Sequence, residues 1–265
     1  MSDRPFLPTL KKFVMEKNNS SGCGACRDRV ELFDFTMAFQ PIVHLPSRSV
    51  YAHEALVRGR QGEGAYSILS QVVAENRYSF DQECRVKAIE LAARLGMRSK
   101  LSINFLPNAV YRADACIRLT LSTAEKTGFP VENIIFELTE DERSNDLPHL
   151  TSIFTEYKRR GFITAIDDFG AGYAGFDFLA AFQPDVIKLD MHLVRDVDSH
   201  RARRAIISGM VGICRELDIR VIGEGVETRA ELDTLASLGV ELFQGYLFAR
   251  PALEALPEVD WSAVV

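Results

Sequence analysis

From Met37 onward the sequence alternates short apolar runs with segments of helical period, and Gly- or Pro-marked breaks separate them. Strands are expected at Met37–Leu45, Val50–Arg58, Leu101–Phe105, Ile134–Leu138, Phe162–Ile166, Val186–Leu189, Arg220–Gly223 and Glu241–Phe248. Helices are expected near Phe80–Leu95, Ala115–Thr127, Pro148–Arg160, Phe176–Phe182, Ala202–Leu217 and Arg229–Leu238. A strand that feeds a helix and then another strand builds a parallel sheet with the helices outside it. The first two strands differ, because Pro46-Ser47-Arg48-Ser49 is a link short enough for an antiparallel hairpin. With 265 residues and so many repeated units, closure into a TIM-like (β/α)8 barrel, which takes about 250 residues, is favoured over an open doubly wound sheet. No Gly-x-Gly-x-x-Gly follows the first strand, which argues against a dinucleotide fold. The expected organisation is an N-terminal extension over 1–35, a barrel over 36–258 and a tail over 259–265.

The extension carries Cys23-Gly24-Ala25-Cys26 after a polar run. Such a pair is half of a zinc site or a redox couple, but no second Cys or His pair lies nearby to complete a tetrahedron. A loosely held segment is the alternative. Net charge is −6, so neither a nucleic-acid duplex nor an anionic membrane is expected as the main partner. No apolar run reaches the roughly 18 residues of a membrane span, and no signal-peptide pattern opens the chain. Five cysteines is an odd count, and Cys84, Cys116 and Cys214 fall in helical segments. Reduced thiols and a cytoplasmic location are therefore expected.

In an α/β barrel the loops after the strands converge on one open mouth, so chemistry collects at the strand ends. Those ends read Glu54, Asn104, Glu137, Asp167 with Asp168, Lys188, Glu224 and Gln244. Adjacent carboxylates at the end of a buried strand repel each other and lose hydration, unless a cation or proton compensates. Taken alone, that pair also fits Asp168 as a helix cap with Asp167 solvated. The whole set of carboxylates with Asn104 suits oxygen-loving cations such as Mg²⁺ or Mn²⁺ better than zinc. Asp167 is the candidate to bridge two ions. His44, His149, His192 and His200 lie away from the strand ends, and His53 should point opposite to Glu54. Lys188 stands between Ile187 and Leu189 in a buried run, which marks it as a fixed cation. Arg58 is a candidate phosphate fork.

The motifs His53-Glu54-Ala55-Leu56-Val57-Arg58, Ser102-Ile103-Asn104, Phe136-Glu137-Leu138-Thr139-Glu140, Asp167-Asp168-Phe169-Gly170, Ile187-Lys188-Leu189-Asp190, Glu224-Gly225-Val226-Glu227 and Phe243-Gln244-Gly245-Tyr246 occur in this order. Together they resemble the EAL family of cyclic di-GMP phosphodiesterases over about residues 37 to 255. The resemblance implies Glu54, Asn104, Glu137 and Asp167 as ligands of one metal ion, with Asp167 and Asp168 on a second. It implies Lys188 and Glu224 as the residues that orient and deprotonate water, with Glu54 counted among the catalytic groups. Glu140 and Glu227 would anchor the loop after Asp168. Gln40, Leu56, Arg58, Asp190 and Gln244 would contact the dinucleotide. The implied reaction is hydrolysis of cyclic di-GMP to linear pGpG with Mg²⁺ or Mn²⁺, two ions in all, in a homodimer formed through the loop and helix after Asp168. Control by a partner protein or by the Cys23/Cys26 segment is also expected. The chain departs from the family pattern at Gly59, where tryptophan is frequent, and at Ala171, Ala174 and Gly175, where hydroxyl residues are common. The rival readings are a cyclic di-GMP-binding or protein-interaction module without turnover, and an enolase-type lyase. The second explains Asn104 and the aspartate pair less well.

Overall fold

A computed structural model of the chain describes residues 34–110, 112–139, 147–170 and 175–264. Cys23, Cys26, Glu140 and the loop residues 171–174 lie outside the described residues. In order, the elements are β1 (Thr36–His44), β2 (Ser49–Arg58), α1 (Ala65–Leu69), α2 (Arg77–Arg94), β3 (Lys100–Asn104), α3 (Ala113–Cys116), α4 (Arg118–Thr127) and β4 (Ile134–Thr139). They continue as α5 (Leu147–Arg159), β5 (Ile163–Phe169), α6 (Gly175–Ala181), β6 (Val186–Leu189), α7 (Met191–Val194), α8 (Arg201–Glu216), β7 (Arg220–Gly223), α9 (Arg229–Ser237), β8 (Leu242–Phe243) and β9 (Ala252–Leu253).

Strands β2 to β8 run parallel in sequence order, and β1 closes the barrel by pairing antiparallel with both β2 and β8. This is the (β/α)8 barrel with an antiparallel strand at its start that the sequence leads one to expect. The interior is layered, because alternate residues of every strand face the axis. Ile42, Ala52, Ile135, Ala165, Val186, Ile222 and Leu242 meet there as a buried apolar plug. Two residues further toward the mouth, on the same strands or one residue past their ends, stand Gln40, Glu54, Glu137, Asp167, Lys188, Glu224 and Gln244. One apolar layer thus carries one polar layer, and the period of two places each functional side chain. Among the described residues, no helix is long and apolar enough to cross a membrane.

Four expectations change. Strand β5 runs past Ile166 to Phe169 and takes both aspartates into the sheet. A bulge between Ile166 and Phe169, with Asp168 at a φ of 52°, breaks the alternation that would otherwise send the two carboxylates to opposite faces. The last barrel strand is only Leu242–Phe243, not a run to Phe248. The chain turns away there because Gly245 lies against the backbone of Val226, where an added Cβ would sit 2.0 Å from the carbonyl oxygen. Val226 N–H donates to the Gln244 carbonyl (3.1 Å), and Leu247 N–H donates to that of Val226 (3.1 Å). Gly245→Ala should therefore cost about 1–3 kcal/mol through overpacking, read as a lower denaturation midpoint. Beyond it, β9 adds to β1.

The third and fourth changes concern helices. The expected helix Ala115–Thr127 is two helices meeting at Ile117. On α8, Ile207, Met210, Val211 and Cys214 are buried, whereas Ile206, Ile213 and Leu217 face outward although the sequence reads as one wide apolar stripe. A helix seated on a curved sheet covers a narrower arc than that stripe.

Candidate active site

The mouth is built around Lys188, which is fully buried. Its Nζ lies 2.7 Å from Glu224 Oε1, 3.0 Å from Glu137 Oε2, 3.1 Å from Asp167 Oδ1 and 3.4 Å from Glu54 Oε2. Burial opposes charging the ammonium, but Asp167, Glu137, Glu224 and Glu54 together hold it protonated well above the usual lysine range. The carboxyls respond in the opposite sense. Burial pushes Glu137 up to about 8, because the charges of Glu54 and Asp167 add to desolvation and outweigh the pull of Lys188. Burial and the Asp167 charge push Asp168 up to about 7. The same two causes raise Glu224 well above the ordinary carboxylate range. A site in which protons are held this firmly is one short of cations.

Oxygens of Glu54, Glu137 and Asp167 lie within 4.8 Å of one another, and so do those of Asp167, Asp168 and Glu224. Asp167 belongs to both groups. Glu54 is fixed from two sides: Oε1 accepts from Asn104 Nδ2 (2.9 Å) and Oε2 from Gln244 Nε2 (2.7 Å). Gln244 Nε2 also reaches Gln40 Oε1 at 3.3 Å, and Gln40 pairs with Glu54 across the β1–β2 ladder. These bonds leave Asn104 Oδ1 and Gln244 Oε1 as buried acceptors with no hydrogen-bond partner among the described residues. An orphaned buried acceptor carries a penalty of about 1–3 kcal/mol, which a ligand supplying positive charge or an N–H would relieve. The donor set is all oxygen, and the Asn104 oxygen is free, so these residues fit one or more divalent cations of the Mg²⁺ or Mn²⁺ type.

The other expected residues fall around this cluster. Leu56 and Arg58 follow Glu54 at intervals of two, so they continue its face toward the rim. Arg58 Nη1 donates to the Val57 carbonyl at 2.7 Å. Asp190 is buried just past β6 and caps α7, its Oδ1 accepting from His192 N–H at 2.8 Å. Glu227 belongs to neither carboxylate group and instead pairs with Arg195 at 2.8 Å. His53 does turn away from Glu54: its Nδ1 meets Ser99 Oγ at 2.8 Å, and burial lowers it to about 4.

Two contributors carry no role in the sequence reading. Ser102, buried and two residues before Asn104, donates its hydroxyl to Glu137 Oε1. The alternation of β3 puts it on the Asn104 face, which is the signal that would have found it. Glu231 is buried at the start of α9 and accepts from the backbone N–H groups of Asp196, Glu227 and Thr228. It stitches the loops after β6 and β7 together, and its only sequence signal is a capping box with Thr228.

Comparison with known proteins agrees with this geometry. The profile of the EAL domain matches residues 24–251. The blue light- and temperature-regulated antirepressor BluF of Escherichia coli (strain K12) is 34% identical over 225 residues, 84% of this chain and 56% of that protein. The probable cyclic di-GMP phosphodiesterase PdeG of the same strain is 27% identical over 225 residues, 80% of this chain and 44% of that protein. The chain thus spans about half the length of the curated relatives it matches. Among solved structures, a standalone versatile EAL protein from Vibrio cholerae O395, in c-di-GMP bound form, is 52% identical with a TM-score of 0.85. It covers 87% of this chain and 98% of its own. Klebsiella pneumoniae BlrP1, as a manganese/cy-diGMP complex, is 35% identical with a TM-score of 0.81, covering 88% of this chain and 59% of that one. With the profile spanning most of its length and the barrel mouth built as described, the chain belongs to the EAL domain family.

Proposed function

We propose that this chain hydrolyses one phosphodiester bond of cyclic di-GMP to linear pGpG, using two Mg²⁺ or Mn²⁺ ions. The observation that carries this reading is the shared position of Asp167 in two adjoining oxygen clusters around one buried lysine. Glu54, Asn104, Glu137 and Asp167 would hold one ion, and Asp167 with Asp168 the other. Fully ionised, the five carboxylates and one ammonium of the mouth leave four negative charges, which two divalent cations match. When bound, such ions supply an activated water and Lewis-acid stabilisation of a phosphoryl oxygen.

The protein's own groups do the rest. Glu224, whose proton affinity burial and the Asp167 charge raise, would take a proton from the attacking water. Lys188, 2.7 Å away, orients Glu224 and presents fixed positive charge beside the phosphate. Gln40, Leu56, Arg58, Asp190 and Gln244 surround the cluster and would receive the dinucleotide, with Arg58 as the phosphate fork. Glu227, paired with Arg195, and Glu140 would steady the loop after Asp168. The same reading takes 36–258 as the catalytic barrel, with 1–35 and 259–265 flanking it, in a cytoplasmic homodimer open to control by a partner protein. BluF, named an antirepressor, favours a second reading in which the chain binds cyclic di-GMP or a protein without turnover.

One experiment separates the two readings. The purified chain is incubated with cyclic di-GMP and Mg²⁺ or Mn²⁺ beside Glu54→Ala, and pGpG is followed by chromatography. The expected result is metal-dependent pGpG from the native chain only, abolished by a chelator. If the native chain binds cyclic di-GMP and leaves it whole with both metals, the hydrolase reading is lost.

A further inference from the structure

The opposite end of the barrel holds a second polar chamber. A cavity of about 620 Å³ opens there, lined among others by Tyr51, Arg98, Lys100, Arg215 and Arg220. Lys100 is half-buried and Arg220 exposed, and both belong to barrel strands. Each lies two residues below an axis-facing side chain of its own strand, Ser102 in β3 and Ile222 in β7, so each starts from the barrel axis. Tyr51 reaches the same place because a bulge opposite Ile42 and Val43 turns it inward, where it packs under the apolar plug. Both cations address its ring, Lys100 Nζ at 5.0 Å and Arg220 Cζ at 5.4 Å from the centroid. Arg215 arrives from α8 and lies over Gly239, where a Cβ would sit 2.8 Å from its Nη2. Any larger residue at 239 would push the guanidinium off.

Among the described residues none of Arg98, Lys100, Arg215 and Arg220 forms an ion pair with a carboxylate. Among the described residues one acid, Glu241, lines the cavity, with its Oε2 3.6 Å from His44 Nε2. Asp185, whose charge also reaches Tyr51, is engaged by Lys158 (3.0 Å) and by Thr164 (2.8 Å to its N–H). Four like charges around one chamber repel one another in a protein whose net charge is −6. A bound anion would resolve that repulsion, as cations would at the mouth.

We infer that this chamber at the N-terminal end of the barrel is a binding site for a small anion bearing two or more clustered phosphates, such as pyrophosphate or the phosphate chain of a nucleotide. Guanidinium forks from Arg98, Arg215 and Arg220 suit phosphate oxygens, with Lys100 as a point charge. The site is separate from the mouth. Lys100 precedes Asn104, and Arg220 precedes Glu224, by four residues, or roughly 13 Å of strand.

The test is calorimetric titration of the full chain with pyrophosphate and with ATP, in EDTA so that no divalent ion links either probe to the acidic mouth. Both probes should bind, and affinity should fall with added salt. The exposed pair Arg98→Glu/Arg215→Glu should weaken binding at least tenfold. Ser49→Glu, which adds a negative charge at the rim and removes no cation, should weaken it several-fold, and Glu54→Gln at the mouth should leave it unchanged. No binding of either probe at millimolar concentration would overturn the inference. So would binding by both rim variants as tight as by the native chain, or attachment to phosphatidylglycerol vesicles without binding of the soluble anions.

Discussion

Under the proposed function, Lys188→Met should lower turnover of cyclic di-GMP by about 10³-fold, the range of a positioned proton-transfer or charge-stabilising group. It should also destabilise the metal-free chain by about 3–5 kcal/mol, the usual effect of stripping one partner from a buried charge network. The size follows from the geometry. One ammonium, shut off from water, stands within 3.4 Å of four carboxylates, and methionine replaces it with similar bulk and no charge. The remaining carboxylates would then take up protons or open the mouth. Saturating Mn²⁺ should restore much of the lost stability without restoring activity, since cations can neutralise the carboxylates but cannot take the place of a fixed ammonium beside Glu224. Thermal denaturation with and without Mn²⁺, alongside the turnover assay, checks both halves. A variant as stable as the native chain without metal would contradict the assignment of Lys188 as the internal counter-ion.

Arg85→Met should cost a comparable 3–5 kcal/mol or so, far from the reacting groups. That corresponds to roughly 10 °C in melting temperature for a domain of this size. Arg85 is fully buried between α2 and the aromatic residues of the core. It lies 2.7 Å from Asp81 Oδ2, donates to the Tyr157 hydroxyl at 2.9 Å, and has its guanidinium 5.0 Å from the centre of the Phe136 ring. Asp81 in turn accepts from Leu106 N–H at 2.9 Å, two residues beyond Asn104. Without Arg85, Asp81 is a buried carboxylate facing aromatic rings, although burial already raises it. Adding Asp81→Asn to Arg85→Met should return part of the loss, because it removes the uncompensated charge. Chemical denaturation of the two variants tests this. Equal midpoints would mean that the pair does not act as a unit.

Neither Arg85 nor Asp81 stands out in the sequence, where Asp81 to Lys87 reads as the polar opening of an ordinary amphipathic helix. Their burial comes from Tyr157 and Phe136, more than fifty residues away in the chain. The partners of Ser102 and Glu231 are hidden for the same reason. Each acts on backbone or side chains from other elements, and a hydroxyl or carboxylate shows no such partner in one dimension. The strand-end residues were legible because a barrel converts a local rule into a global one. A period of two fixes which side chains face the axis, and the C-terminal position on the strand fixes the height.

The amino-acid order by itself therefore determined the class of fold and the identity of the polar layer, because strand-then-helix repetition and the alternation within each strand are short-range properties. Only the tertiary structure decided that Asp167 and Asp168 reach one site, since that takes a bulge held by the neighbouring strand. Likewise it alone set Lys188 among four acids and gathered Arg98, Lys100, Arg215 and Arg220 at the other end. Convergence of charge from distant strands is a matter of closure, and closure is a property of the whole sheet.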